Sequence, residues 1–312
     1  MQIIQLNYPI NDNEQFKPCV LALGFFDGVH LGHQKVIKSA GKIAKEKNLP
    51  YGIMTFNPHP KEVMGITEKI DQITPLDSKL RILDDLGVDI CYLVKFDKKF
   101  AGISPMEFID QFLLKLNVKG VVAGFDFTFG NKGIGTPDTL IKNSKGEYTV
   151  EIIDPYYDNG QKISSTRIRD YLLTGNISDV SRLLGRYYSF KGKVIHGDKR
   201  GRTIGFPTAN LELAEDYLDI KNGVYLVKNI IEGQTYIGVM NVGFKPTFDN
   251  NENHTTYEIF ILNFSKEIYD KVIEVELLEY IRAERKFNSI GDLKVQIEKD
   301  VRYANKFITN MV

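Results

Sequence analysis

The alternation of apolar strands with helical segments in the first half of the chain is the feature that most restricts its fold. Apolar runs typical of strands are Val20–Gly24, Tyr51–Phe56, Ile90–Phe96, Val118–Gly124 and Thr149–Ile153. Segments with the spacing of helices lie between them, at Gln34–Lys47, Leu76–Leu86 and Pro105–Leu116. Strands separated by helices of roughly 10–15 residues predict a parallel sheet covered on both faces. Ligands of such sheets bind beyond the carboxyl ends of the strands.

After about Arg186 the pattern changes to short strands with turn signals and no helices between them. The predicted strands are Tyr188–Ile195, Val224–Ile231, Thr235–Val242, Tyr257–Leu262 and Val272–Tyr280, with a turn at Glu232-Gly233. This pattern predicts an antiparallel barrel. An amphipathic helix at Ser289–Thr309 follows it. Because 312 residues exceed the usual size of one domain, we predict two domains, 1–184 and 185–312, with a boundary near Leu183–Arg186.

The composition excludes several classes of function. Forty basic residues balance forty acidic ones, so there is no broad positive field, and nucleic acid is not an expected partner. No apolar run approaches the roughly 20 residues of a membrane span, and no signal peptide is visible, so we expect a cytoplasmic protein without membrane contact. Cys19 and Cys91 form no CxxC pair, which argues against a disulfide framework or a zinc site. The expected state is a monomer or a weak oligomer.

The segment Gly24–His33 follows a predicted strand and opens a predicted helix. His30 and His33 are three residues apart, so both rings can face one ligand on the first helical turn. A helix N-terminus offers free N–H groups and a partial positive charge, which suit a phosphate. Gly28 and Gly32 allow the backbone and a ligand to approach closely. Taken alone, the same residues are also compatible with two surface histidines beside a glycine turn.

Three further segments fall at the ends of predicted elements in the same half of the chain. His59 lies in Thr55–Pro60, directly after a strand, and Gly124–Gly130 brings a carboxylate and aromatic rings to the end of another. Ile163–Arg169 opens a helix with hydroxyl groups and two arginines. Hydroxyls are common helix caps, but capping does not require the arginines, whose geometry matches polyphosphates. The aromatic residues are equally compatible with core packing.

The segment Gly192–Asn210 is rich in glycine and basic residues and ends on a hydroxyl and an amide. Glycine-rich loops can surround phosphates with backbone N–H groups, and Thr208 and Asn210 carry the oxygen donors that Mg²⁺ accepts. The GxxxxGK[ST] order of a P-loop is absent. Composition alone would also fit a flexible basic hairpin loop.

Together these segments resemble the bacterial bifunctional riboflavin kinase/FAD synthetases. Gly24–His33, Thr55–Pro60, Gly124–Gly130 and Ile163–Arg169 look like their N-terminal module, a nucleotidylyltransferase with the HxGH signature. The resemblance implies ATP contacts from Gly24, Phe26, Asp27, Gly28, His30, Gly32, His33, Ser165, Thr166 and Arg169. It implies flavin contacts from Asn57, His59 and Asp126. His30 and His33 would be the catalytic contacts to the ATP phosphates.

The second half is similar to the riboflavin kinase module of the same family, on Gly201–Asn210 above all. The resemblance implies ATP or flavin contacts from Gly197, Arg202, Gly205, Phe206, Pro207, Thr208, Asn210, Asn222, Gly223, Tyr225 and Arg282. Thr208 and Asn210 would hold Mg²⁺, and Glu258 would be the catalytic carboxylate that accepts the ribityl hydroxyl proton. The family usually has Leu-Tyr-Gly where this chain has Ile268-Tyr269-Asp270.

The implied architecture is a Rossmann-like α/β nucleotidylyltransferase domain with a parallel sheet, followed by a six-stranded antiparallel β-barrel with a terminal helix. The implied function is phosphorylation of riboflavin to FMN by the second domain and adenylylation of FMN to FAD, with release of pyrophosphate, by the first. ATP would be the co-substrate and Mg²⁺ the metal of both steps, and FMN and FAD would bind as products. The alternatives are an enzyme that has lost one activity and a flavin- or nucleotide-binding regulator without turnover.

Overall fold

The structure of this protein is a computed structural model that describes residues 1–11, 13–67, 70–197, 201, 204–246 and 253–311. The chain divides into two compact units, Met1–Ser165 and Thr166–Val312. Within the described ranges, no helix has the length and apolarity needed to cross a membrane.

The first unit is built on a sheet whose six strands, counted over the described residues, run parallel in the order β1-β4-β3-β2-β5-β6. The strands are β1 Gln2–Leu6, β2 Cys19–Leu23, β3 Tyr51–Asn57, β4 Ile90–Lys95, β5 Val118–Gly124 and β6 Thr149–Ile153. The predicted parallel sheet is confirmed. The edge strand β1 was not predicted, because it is short and mostly exposed and therefore has no continuous apolar run.

Helices and short turns connect these strands and cover the sheet. They are α1 Leu31–Lys47, α2 Pro60–Val63, α3 Leu76–Asp85, α4 Lys98–Ala101, α5 Pro105–Ile109 with a π-helical turn Asp110–Leu114, a 3₁₀ turn Asn131–Gly133, and α6 Pro137–Lys142. A small hairpin, β7 Tyr157–Asp158 and β8 Gln161–Lys162, completes the unit. The predicted helix Pro105–Leu116 is therefore replaced by an α-helix and a π-helical turn.

Alternate residues of β2 point into two separate cores, as a strand buried on both faces requires. Leu21 and Leu23 pack into one core with the aromatic residues of α4 and α5, whereas Val20 and Ala22 pack into the other with α1. From β2 the chain passes to β3 and β4 on one side and then returns to β5 on the other. The carboxyl ends of β2 and β5 thus flank the point at which the strand order reverses, where ligands of open α/β sheets bind.

The second unit contains a closed barrel with the strand order β10-β13-β12-β11-β14-β9. Its elements are α7 Ser165–Thr174, which starts at the unit boundary, α8 Ile177–Leu184, β9 Tyr188–Ile195, β10 Ala209–Leu213, β11 Gly223–Ile231, β12 Gln234–Pro246, β13 Asn253–Ile261, β14 Val272–Arg282 and α9 Ile290–Met311. All neighbouring strands are antiparallel, which confirms the predicted barrel and terminal helix.

The barrel interior is filled by large side chains such as Tyr188, Phe190, Tyr225 and Ile259, all buried. A second apolar cluster lies on the outer face, where Val224 and Leu226 pack near Ala304 of α9. The predicted turn is confirmed, since Glu232 and Gly233 both adopt left-handed φ values of 50° and 78°, the conformation of a tight hairpin.

Helices α7 and α8 belong to the second unit by their contacts. The α7 carbonyl of Leu172 accepts a hydrogen bond from Lys221 N–H at 3.1 Å, and α8 packs against β9 and β14. The division by contacts therefore falls after Ser165, the first residue of α7, whereas the sequence predicts a domain boundary after α8. The boundary between residues 184 and 185 stays a prediction.

Candidate active sites

The loop between β2 and α1 has an unusual backbone. Phe26, Gly28 and Val29 have left-handed φ values of 57°, 84° and 42°. Such values cost free energy for residues other than glycine and are found mainly where the surroundings enforce them, often at functional sites. The loop ends at His30, the residue before α1.

His30 is the N-cap of α1 and is buried, with 5% of its surface exposed. Its Nδ1 atom accepts a hydrogen bond from His33 N–H at 3.2 Å. Because Nδ1 is the acceptor, the ring carries its proton on Nε2. The rings of His30 and His33 are stacked with centroids 3.6 Å apart. The helix start thus presents two parallel imidazoles, in the arrangement predicted for a phosphate ligand.

His33 is held as a neutral imidazole. Burial lowers its pKa well below the usual value, and the charges of His30, Lys79 and Lys162 lower the pKa further. Its Nδ1 atom is buried and has no hydrogen-bond partner among the described residues. The ring also meets Phe26 edge-on, with centroids 5.4 Å apart. A buried polar atom without a partner is uncommon and is suited to a ligand.

Asp27 and Gly28 are fixed from behind by Thr74, in the segment before α3. Thr74 N–H donates to Asp27 Oδ1 at 3.1 Å, and Gly28 N–H donates to Thr74 Oγ1 at 2.6 Å. Ser165 Oγ donates to the Asp27 carbonyl oxygen at 2.9 Å. Both Asp27 and Thr74 are buried. Asp27 and Ser165 therefore support the loop in this structure.

A cavity of about 700 Å³ opens at the carboxyl ends of β2 and β5. Aromatic rings dominate its lining: Phe25, Phe26, Phe56, Phe96, Phe100, Phe108, Phe127 and Phe129. Gly24, His33, Gly124 and Asp126 also line it. A largely apolar cavity with a few polar groups at its mouth is the usual form of a site for a flat aromatic ligand.

Of the remaining predicted residues of the first site, Asp126 lines this cavity. Asp126 pairs with Lys162 at 2.5 Å, and His59 meets the ring of Phe25 edge-on at 4.3 Å. Asn57 ends β3 and does not line the cavity. Gly32 is on the first turn of α1, and Thr166 and Arg169 are on α7, in the second unit.

In the second unit, three polar residues form one row across adjacent strands, of which Asn210 and Glu258 were predicted and Asn241 was not. Asn210 of β10 pairs with Glu258 of β13, which pairs in turn with Asn241 of β12. Residues directly opposite each other in antiparallel strands have Cβ atoms about 4.5–5.5 Å apart on the same face. Glu258 alternates with the interior residues Tyr257 and Ile259 and therefore faces outward.

Two glycines that precede Asn210 in the chain, Gly197 and Gly201, allow the backbone to approach neighbouring groups closely. A Cβ atom on Gly197 would lie 2.2 Å from the Asn210 amide nitrogen, and one on Gly201 would lie 2.2 Å from the Phe206 carbonyl oxygen. No side chain fits at either position. The glycines of this loop therefore hold the chain close to Asn210 and Thr208, as a phosphate-binding loop requires. Gly205 has a left-handed φ of 88°.

Two cavities meet at Thr208. One, of about 400 Å³, lies on the outer barrel face beside α9 and is lined by Phe206, Asn210, Asn241, Glu258 and Arg282 among others. The other, of about 420 Å³, is lined by Pro207, Phe264 and Tyr269. Thr208 lines both. The arrangement can accept two ligands whose reacting groups meet at this hydroxyl.

The turn before β14 differs from that of the resembled family. Asp270 has a left-handed φ of 63°, the conformation for which the family's glycine is suited and which aspartate tolerates better than most residues. Its carboxylate pairs with Lys193 at 2.8 Å.

Arg282 is held by a pair of acceptors on α9. Its Nε and Nη2 atoms donate to the Asp300 carboxylate at 3.1 and 2.7 Å. Gln296 Nε2 donates to Asp300 Oδ1 at 2.7 Å, and Arg285 donates to Gln296. Asp300 is 4% exposed. Arg282, Arg285 and Asp300 line the outer-face cavity, and the network fixes the guanidinium of Arg282.

Replacing Asp300 with alanine is expected to destabilise the second unit by about 3–5 kcal/mol, because the mostly buried Arg282 loses its partner. The matched control is Asp179→Ala, which removes an ion pair with Arg182 that is more than a third exposed and should cost about 1 kcal/mol or less. Calorimetric unfolding of both variants measures the difference. Equal losses would contradict the role given to Asp300.

Several predicted residues lie elsewhere. Tyr225 is fully buried in the barrel interior and donates to the Lys221 carbonyl, so it does not line either cavity. Asn222 accepts from Tyr280 at 3.1 Å through its carbonyl, and Gly223 packs against Arg282 O. Arg202 lies outside the described residues.

The structure also adds residues to both sites. Asn241, Gln296 and Asp300 join the second site only through strand register and the packing of α9. In the first unit, Lys79 lies on the apolar face of α3, three residues after Leu76 and four before Leu83. A lysine at an apolar position of a helix was a signal available in the sequence.

Comparisons with known proteins agree with this division into two sites. A family described as FAD synthetase matches residues 12–167, and one described as riboflavin kinase matches residues 184–308. The chain is 45% identical over 315 residues to the bifunctional riboflavin kinase/FMN adenylyltransferase of Bacillus subtilis, covering 100% of this chain and 99% of that protein. With the protein of the same description from Escherichia coli K12 it shares 37% identity, covering 93% and 92%.

A similar solved structure is described as a macrolide-efflux protein from Streptococcus pneumoniae. It has a TM-score of 0.88 and 35% sequence identity, and the match covers 97% of this chain and 99% of that one.

Proposed function

The chain belongs to the bifunctional riboflavin kinase/FMN adenylyltransferase family, and on this premise we propose which residues carry each of its two reactions. The protein phosphorylates riboflavin to FMN and adenylylates FMN to FAD, with ATP as co-substrate of both steps. The observation that carries the assignment is that each unit has its own cavity with polar residues in its lining, His33 and Asp126 in the first unit and Thr208 and Glu258 in the second.

The first unit is the site of FMN adenylyltransfer. The isoalloxazine ring lies in the aromatic cavity, and the ATP phosphates lie at the start of α1. An oxygen of the FMN phosphate attacks the α-phosphorus of ATP, a new P–O bond forms, and the bond to the leaving pyrophosphate breaks. His30 and His33, as neutral rings, donate N–H groups to the phosphate oxygens as their charge rises. Thr166 and Arg169 are assigned to the phosphates by resemblance.

Asp126 and Lys162 act at the mouth of the aromatic cavity. Lys162 lies over the ring of Phe125, which directly follows β5, with its Nζ 4.3 Å from the ring centroid. It also forms an ion pair with Asp126, which lines the cavity. His59 contacts Phe25, another residue of the cavity lining, edge-on. The positions of Asp126 and His59 support their assignment to the flavin side, and Asn57 is assigned there by resemblance alone.

The second unit is the site of the kinase reaction. ATP lies in the cavity of Pro207 and Tyr269, and riboflavin lies in the cavity of Glu258 and Arg282. Because Thr208 lines both cavities, the γ-phosphate and the ribityl hydroxyl meet beside it. Glu258 accepts the proton of the attacking hydroxyl, whose oxygen forms a bond to the γ-phosphorus as ADP leaves.

Mg²⁺ fits the donors around Thr208. The hydroxyl of Thr208 and the amide oxygen of Asn210 are hard oxygen donors, and the absence of side chains at Gly197 and Gly201 leaves the backbone close to them. When bound, the ion neutralises charge on the transferring phosphate. Thr208 and Asn210 would hold the ion, and Glu258 would remain available to accept the hydroxyl proton.

Incubating the purified chain with riboflavin, ATP and Mg²⁺ and separating the flavins over time tests the two-step function. FMN should appear first and FAD second, with pyrophosphate released in step with FAD. FMN without FAD would mean that the adenylyltransferase has been lost. Ligand binding without any product would favour a flavin- or nucleotide-binding regulator.

A cytoplasmic location and a monomeric or weakly oligomeric state stay predictions from the sequence.

A further inference from the structure

Lys79, on α3 of the first unit, is a buried ammonium group for which the reaction described above has no role. Only 1% of its surface is exposed. Burying a charged group is costly unless it is hydrogen-bonded or paired. Burial lowers the pKa of Lys79 to about 8, although the charge of Asp27 acts in the opposite direction. An apolar residue would fill this position of α3 at less cost, so the lysine needs another explanation.

The contacts of Lys79 converge on one residue, Phe25. Its Nζ donates to the Phe25 carbonyl oxygen at 3.2 Å and lies 4.2 Å from the centroid of the Phe25 ring. The hydroxyl of Thr55, which is fully buried in β3, donates to the same carbonyl at 3.0 Å. Phe25 is therefore held at both its backbone and its ring.

Phe25 lines the flavin cavity and is adjacent in the chain to Phe26, which contacts His33. The next residue, Phe26, has a left-handed φ of 57° and packs edge-on against His33. Any displacement of the Phe25 carbonyl would therefore move Phe26 and the ring of His33 with it.

We propose that Lys79 is a positioning residue of FMN adenylyltransfer, which fixes the Phe25–Asp27 turn so that the flavin cavity and the His30–His33 pair keep their spacing. This proposal rests on the assignment of adenylyltransfer to the first unit. Lys79 does not line the cavity and need not touch substrate. A misplacement of reacting groups by about 1 Å can cost about 10²-fold in rate, which is the scale on which such a residue acts.

The test compares Lys79→Met with the native chain, using Lys42→Met as the matched control on the exposed face of α1. Lys79→Met is expected to lower kcat of adenylyltransfer by about 10–100-fold and to change the KM for ATP much less. The kinase activity of the same chain should be unchanged, as should both activities of Lys42→Met. An adenylyltransfer kcat within twofold of native would overturn the proposal.

Thermal unfolding separates positioning from a purely structural role. Because methionine fills the site without a buried charge, Lys79→Met should unfold at the native temperature or above it. A fall in unfolding temperature that parallels the loss of activity would overturn the proposal.

The pH dependence of stability gives a second readout that does not need turnover. The pKa of Lys79 is lower in the folded chain than in the unfolded one, so the unfolded chain binds more protons between pH 8 and 10.5. Stability relative to Lys79→Met should therefore rise over this window. Two groups whose charges interact with Lys79 do not titrate in this window, because burial raises the pKa of Cys91 to about 12 and lowers the pKa of His33 well below its usual value. If the two proteins showed the same change of stability with pH, the premise that Lys79 has a lowered pKa in the folded chain would be wrong.

Running His30→Ala/His33→Ala in parallel distinguishes this proposal from the assignment on which it rests. If the double variant still forms FAD from FMN, the assignment of adenylyltransfer to the first unit is wrong. If the double variant loses FAD formation and Lys79→Met keeps it, only the role of Lys79 is wrong.

Discussion

Replacing His30 and His33 together with alanine is expected to abolish FAD formation and to leave FMN formation intact. Both rings lie at the start of α1, stacked 3.6 Å apart, with an unpaired Nδ1 on His33. Their removal takes away the neutral donors that meet the charge developing on the α-phosphate. We expect a loss of about 10²–10⁴-fold in the adenylyltransfer rate, measured with FMN and ATP as substrates.

A single variant, His30→Asn, separates the two roles of His30. Asparagine is among the best N-cap residues, so it can replace the bond from His33 N–H that His30 now accepts. It cannot replace the Nε2–H donor in the same place. Loss of FAD formation with an unchanged unfolding temperature would indicate a role at the phosphates. If the double alanine variant also lost FMN formation, the assignment of separate sites would be wrong.

Replacing Glu258 with glutamine is expected to have the opposite effect, with the kinase reaction lost and FAD formation from supplied FMN retained. Glu258 lies in register with Asn210 and Asn241 and lines the cavity that Thr208 connects to the second one. Glutamine keeps the size of the side chain but cannot accept the hydroxyl proton. The expected fall in kinase kcat is about 10²–10⁴-fold, the usual contribution of one acid or base.

The matched control for this variant is Glu212→Gln. Glu212 is an exposed carboxylate on β10, two residues from Asn210, so it shares the strand without lining either cavity. Its replacement should change neither activity. A kinase rate of Glu258→Gln close to that of Glu212→Gln would refute the role of Glu258 as the base.

The His30→Ala/His33→Ala and Glu258→Gln variants are complementary, because each is expected to keep the activity that the other loses. The retained activity serves as the internal control for folding. The product of the kinase is the substrate of the adenylyltransferase, so FAD formation must be assayed from added FMN when Glu258 is changed. A mixture of the two variant proteins should restore FAD formation from riboflavin, since each supplies the step that the other lacks. Failure of the mixture would mean that FMN released by one chain does not reach the other.

The fold of each unit was predictable because its signals are local. Alternating strands and helices predicted the parallel sheet, and the Glu232-Gly233 pair predicted a hairpin turn that both left-handed residues confirm. Strand β10 was not predicted, since its residues become a strand only by pairing with β9 and β13. The edge strand β1 was missed for the same reason, because its partner strand β4 lies far away in the sequence.

The sequence by itself determined the two-part architecture and the positions of the histidine pair and the Gly201–Asn210 loop, because helix starts, turns and glycine-rich loops depend on neighbouring residues. Only the tertiary structure decided that Glu258 stands in one row with Asn210 and Asn241, that Tyr225 points away into the barrel, and that Lys79 is buried against Phe25. These facts depend on strand register and on the packing of one helix against a distant loop. The physical reason is that burial, and with it the choice of hydrogen-bond partner and the shift of a pKa, is set by residues far apart in the chain.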